Sequence, residues 1–150
     1  MEVEWLILAD YATIVNGKLY LQGGGWDKLT INSGFPVSHH MGLAASFVIP
    51  WNETNQVHEL AIEILTEDGH QLGKIEARIE VGRPPGIPQG QDQRAQIAGD
   101  MTLKLDKPGT YPIVASVGDE VARRIHFNVV SGPMLQMTQA KESPPGAPSG

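Results

Sequence analysis

Between residues 75 and 81 the chain alternates without a break: Ile75, Ala77, Ile79 and Val81 are apolar, and Glu76, Arg78 and Glu80 between them are charged. Successive side chains of an extended strand point to opposite faces. This spacing therefore sets one apolar face against an interior and one charged face in water. The same period returns at Leu60, Ile62 and Ile64, at Met101, Leu103 and Leu105, and at Ile125, Phe127 and Val129. A short helix over 119–124 competes at one point only, and the alternation on both sides of it favours a hairpin. The chain is predicted to be all-β.

Turn residues divide these runs. Asn16-Gly17 joins two β-rich segments, 12–15 and 18–22, and predicts a tight hairpin. Glu67-Asp68-Gly69-His70, Lys107-Pro108-Gly109-Thr110 and Gly118-Asp119 turn the chain again, and Gly23, Gly24 and Gly25 mark a bulge or corner before a strand over 26–31. Residues 3–9 read as a buried strand with Trp5 in the core. Residues 41–49 read as a central strand, with His39 and His40 in the loop before it. Eight or nine short strands result. We expect an antiparallel β-sandwich of immunoglobulin-like Greek-key type over residues 1–130. Tyr111 stands where such folds place a tyrosine whose hydroxyl bonds back to nearby backbone. Residues 131–150 are rich in Pro, Gly and Ser and are expected to be a disordered tail, with Met134, Leu135 and Met137 as its sticky positions.

Composition narrows function. Hydrophobic residues make up 41% and charged residues 19%, too apolar for a disordered chain and too polar for a membrane one. The net charge of −6 repels phosphate backbones, and the densest basic cluster, Arg123-Arg124, is small, so no nucleic-acid partner is expected. No apolar run approaches the roughly 18 residues needed to cross a bilayer, so no membrane association is expected. The start Met1-Glu2-Val3-Glu4 lacks the basic residues of a secretory signal, which points to the cytoplasm. Without cysteine there is no thiolate metal site.

The residues that carry chemistry elsewhere are scattered here. Adjacent strand residues face opposite ways, so His39 and His40 make poor co-ligands; His58, His70 and His126 lie far apart in sequence. Asp10 and Asp27 sit at strand ends, where an aspartate usually caps backbone amides. The glycine run lacks the helix that a phosphate loop requires, and no serine lies in a Gly-x-Ser-x-Gly elbow. We therefore expect no enzyme, no cofactor and no metal. Two surfaces stand out. Trp51 opens the polar loop Trp51-Asn52-Glu53, with Trp26 a second tryptophan beside a turn. Residues 82–93 form a long irregular loop stiffened by Arg83, Pro84, Pro85, Ile87 and Pro88. Together they favour an interaction module that binds a protein partner or itself as a homo-oligomer. The alternative is a small-ligand or carbohydrate-binding sandwich that uses Trp26 and Trp51 with Asp27, Asn52 and Glu53.

Three stretches carry a resemblance: residues 5–12, the run from Asn16-Gly17 to Trp26-Asp27, and Pro50-Trp51-Asn52-Glu53 followed by the Asp68-Gly69 turn. On these the chain resembles an uncharacterised family of small bacterial β-proteins of unknown function, over about residues 3–130. The resemblance implies a bacterial, cytoplasmic, single-domain protein and transfers no activity.

Overall fold

A computed structural model describes residues 1–133. It is all-β, with ten strands in three sheets. The first sheet holds β1 (Glu2–Ala9), β5 (Val37–Ile49) and β8 (Gln93–Leu105), with β5 in the middle. The second holds five strands in the order β4 (Lys28–Ile31), β10 (Glu120–Ser131), β9 (Gly109–Val117), β6 (Val57–Leu65) and β7 (Gln71–Glu80). The third is the hairpin of β2 (Tyr11–Val15) and β3 (Lys18–Gln22). Asn16 and Gly17 both have positive φ, 52° and 73°, as a two-residue turn between twisted strands requires.

The two larger sheets share one interior. Leu6, Leu8, Met41, Leu43, Phe47 and Leu103 reach it from the first sheet, and Leu60, Ile62, Ile64, Ile113, Phe127 and Val129 from the second. Ile75, Ala77 and Ile79 close its side, partly buried, as their alternation predicted. Tyr111 is buried, stacks on Phe127 with ring centroids 5.4 Å apart, and donates its hydroxyl proton to the Lys107 carbonyl at 2.6 Å. The expected tyrosine bond is present.

Several expectations are corrected. The strands number ten, not eight or nine, and they are not all antiparallel: β4 runs parallel to the end of β10, Lys28 beside Asn128 and Ile31 beside Ser131. Before β4 begins, the glycine run stays beside β1, where Gly25 N–H bonds Leu8 O at 2.8 Å. Trp5 is not core. A bulge between Val3 and Trp5 sets Trp5 opposite Ser46, on the face of β5 that turns away from the shared interior. His39 and His40 lie inside β5 and not in a loop, paired with Leu103 and Thr102. At the other end of the chain β10 ends at Ser131, and Gly132 N–H bonds Ile31 O.

From Met41 to Phe47 every residue of β5 is buried, so both faces of the strand are covered. The β2–β3 hairpin covers one end of the outer face. Ala12 is 2% exposed, its N–H donates to Asp100 Oδ1 at 2.9 Å, and a Cβ at Gly42 would lie 2.6 Å from the Ala12 nitrogen.

Candidate functional site: a joined pair of loops

The β5–β6 loop and the β7–β8 loop meet at one end of the fold, where β5 and β7 finish and β6 and β8 begin. Pro50 holds an extended φ of −62° and ψ of 154°, and the chain then makes a 3-10 turn over Trp51–Glu53. Thr54 closes that turn. Its hydroxyl donates to Trp51 O at 2.7 Å, and at 4% exposure it has left the solvent. Asn55, at a φ of 59°, donates its N–H to Val81 O at 2.8 Å, which fastens the first loop to the start of the second.

Arg83 completes the join. Its Nε donates to the Thr54 hydroxyl at 2.6 Å, its Nη2 donates to Trp51 O at 2.8 Å, and its guanidinium carbon lies 4.0 Å from the centroid of the Trp51 ring. A planar cation over an indole face is attracted by the ring quadrupole, and the two hydrogen bonds fix its orientation. Around this centre Gln93 Nε2 donates to Gly82 O at 2.6 Å, Gln56 Nε2 donates to Asn52 O at 3.1 Å, and a His58 ring nitrogen lies 2.7 Å from Glu53 O. The Met1 amine meets the Glu53 carboxylate at 2.5 Å. Pro84, Pro85 and Pro88 are exposed beyond Arg83, and Ile87 is half-buried.

The sequence singled out Trp51, Asn52, Glu53, Arg83, Pro84, Pro85, Ile87 and Pro88 as two separate loops; the structure joins them. Trp26 lies elsewhere. It packs edge-on to Phe127 with centroids 6.0 Å apart, lines a shallow cleft with Leu6, Leu8, Arg124 and His126, and keeps its Nε1 buried without an acceptor. The two tryptophans do not share a cleft. Met134, Leu135 and Met137 lie outside the described residues.

The remaining candidates are dispersed. Asp10 packs its carboxylate against the backbone of Gly23, where a Cβ would collide with it. His39 is drawn down from the usual imidazole range, chiefly by burial and further by His40, against an opposing pull from Asp10. Arg94 grips Glu4 with two bonds, which holds that carboxyl below its ordinary range, and Glu4 in turn accepts from the buried Ser46 hydroxyl. Among the described residues no three His, Asp or Glu side chains converge as metal ligands. None of their helices is long and apolar enough to cross a membrane.

One surface went unnoticed in the sequence. Tyr11, Val15 and Tyr20 are 54%, 49% and 54% exposed, and all three sit on the outward face of the β2–β3 hairpin. The signal was legible: both strands carry apolar residues on both faces, where a half-buried hairpin would alternate with polar ones.

Fold and site together define an all-β domain with a pre-ordered loop pair at one end. The chain belongs to the family of unknown function DUF6941, which it matches over residues 4–130. No curated protein matches it. Among solved structures it is similar to Pseudomonas fluorescens alkylpurine DNA glycosylase AlkC bound to DNA containing an abasic site analog. That similarity has 11% identity and a TM-score of 0.34, over 69% of this chain and 27% of that one. The chain thus corresponds to a minor part of that enzyme, and a likeness this distant carries no argument.

Proposed function

We propose that the chain is a non-enzymatic interaction module of the cytoplasm, built on an immunoglobulin-like sandwich, which binds a protein partner through the Trp51–Arg83 loop pair. The observation that carries this reading is the clamp itself, with Arg83 stacked on Trp51 and anchored by two hydrogen bonds. Tryptophan and arginine dominate binding energy at protein interfaces, and a surface already ordered loses less entropy on docking. The prolines that follow Arg83 add exposed apolar surface on a segment with few conformations to lose. The Tyr111–Lys107 bond supports the immunoglobulin-like part of the reading. A sugar-binding role fits the geometry less well, because Arg83 covers one face of Trp51 and Trp26 packs against Phe127.

Quantitative capture from a native lysate tests the proposal, with the wild-type chain, Trp51→Ala and Arg83→Ala immobilised in parallel. At least one protein retained by the wild type should fall roughly tenfold or more on both variants. Identical protein sets on all three surfaces would overturn the reading.

A further inference from the structure

The five-stranded sheet ends on one side in β4, four residues long, and on the other in β7, ten residues long and free of proline. β6 pairs with one side of β7, from Val57 beside Glu80 to Leu65 beside Gln71. Alternate residues of an antiparallel strand turn their N–H and C=O groups to the other side. Among the described residues no strand takes those of β7. A long unpaired edge of this kind is a template for another strand. Ile75, Ala77 and Ile79, which pack on the interior, are only partly buried, so the apolar layer is also left incompletely covered here.

We propose that the free edge of β7 pairs antiparallel with β7 of a second copy, about a two-fold axis at Ala77. The charges on its outer face select that occupant, its direction and its register. Lys74, Glu76, Arg78 and Glu80 are exposed and alternate in sign along the strand. With Ala77 opposite its own image, Lys74 stands across from Glu80 of the second copy and Glu76 across from Arg78. The symmetry repeats both pairs, so all four charges meet their opposites. A parallel pairing in register would set every charge against its like. An axis at Glu76 or Arg78 would put that residue against its own image, and one at Ile75 or Ile79 would keep only half of the pairs. β6 continues the pattern, because Glu63 lies beside Lys74 and Glu59 beside Arg78. Each cation then sits between a carboxylate of its own chain and one of the second copy. Within the chain Lys74 Nζ already lies 2.7 Å from Glu76 Oε1. Lys74 and Arg78 balance Glu76 and Glu80, so the net charge of −6 is not carried by the strand that makes the contact. On the inner face Ile75 meets Ile79 of the second copy, which covers the apolar residues left partly exposed. Backbone bonds between the two edges supply affinity, and the side-chain pairs supply specificity.

Light scattering coupled to size exclusion on the full chain, across a concentration series, tests this. The wild type should show a concentration-dependent dimer. Arg78→Glu and Glu76→Arg each set like charges across the axis, and each should raise the dissociation constant by roughly tenfold or more. An equimolar mixture of the two variants restores every opposite-charge pair and should dimerise about as tightly as the wild type. Lys18→Glu, which changes the net charge as Arg78→Glu does but at the exposed β2–β3 turn, should leave the constant unchanged. All three replaced side chains are exposed, and circular dichroism checks that each variant is folded. A wild-type chain that stays monomeric throughout overturns the proposal. So does a dimer of equal strength in both β7 variants, or a mixture that associates no better than either variant alone. Arg83-dependent capture of a partner is read separately, so either idea can fail alone.

Discussion

Arg83 lies thirty-two residues after Trp51, yet its guanidinium covers the Trp51 ring at 4.0 Å and bonds the Trp51 carbonyl at 2.8 Å. Two loops become one unit through this contact. Arg83→Ala should destabilise the domain by about 1 kcal/mol, the sum of an exposed cation–π contact and modest hydrogen bonds less solvent compensation. Quenching of tryptophan fluorescence by acrylamide should rise with it. Arg83→Lys should behave nearly as Arg83→Ala does, because an ammonium cannot fork between Thr54 Oγ1 and Trp51 O while lying flat on the ring.

Tyr111→Phe keeps the ring stacked on Phe127 and removes only the bond to Lys107 O. A loss of about 1 kcal/mol is expected from thermal or urea unfolding. Burial, the largest influence, raises the Tyr111 phenol above its usual range, and the nearby carboxylates of Asp106 and Glu67 raise it further. The folded state therefore favours the neutral phenol. Its contribution is complete below the unfolded phenol pKa and is lost as pH climbs through the raised folded value. Wild-type stability should fall in alkali more steeply than that of Tyr111→Phe.

His39 gives the opposite slope. Its folded pKa is lowered, mainly by burial, so the folded state favours neutral imidazole. Stability should be constant above the unfolded histidine pKa and should decline as pH falls from there toward the lowered folded value. His39→Gln should flatten that decline in denaturant titrations run from neutral to mildly acidic pH.

Gly42 sits where the hairpin crosses the sheet. A methyl there would meet Ala12 N at 2.6 Å, the Tyr11 carbonyl carbon at 2.8 Å and Asp100 Oδ1 at 2.9 Å, two of them rigid backbone. Gly42→Ala should cost about 1–3 kcal/mol as an overpacked site. It should also lift the hairpin, breaking the Ala12–Asp100 bond, which the amide shift of Ala12 would report.

Much of the fold was visible as local pattern. Asn16-Gly17, Asp68-Gly69, Pro108-Gly109 and Gly118-Asp119 each turn the chain as read. Tyr111 could be picked out because its acceptor, Lys107, is only four residues away. What failed depended on partners distant in sequence. The parallel pairing of β4 joins Lys28 to Asn128, and no local spacing encodes it. Trp5 was read as core because it lies in an apolar run, while a bulge between Val3 and Trp5 sets it on the face that turns away from the shared interior. The first half of β8, Gln93 to Asp100, is polar and small, and it is a strand because β5 pairs with it residue by residue. The site followed the same logic. Trp51 and Arg83 were each conspicuous as loop residues, while their contact is tertiary.

Amide hydrogen exchange at the joined loops measures the claim of a pre-ordered surface most directly. The N–H groups of Thr54 and Asn55, bonded to Trp51 O and Val81 O, should exchange far more slowly than free loop amides in the wild type and should lose that protection in Arg83→Ala. Exchange at free-loop rates in the wild type, or protection untouched by the substitution, would contradict the account.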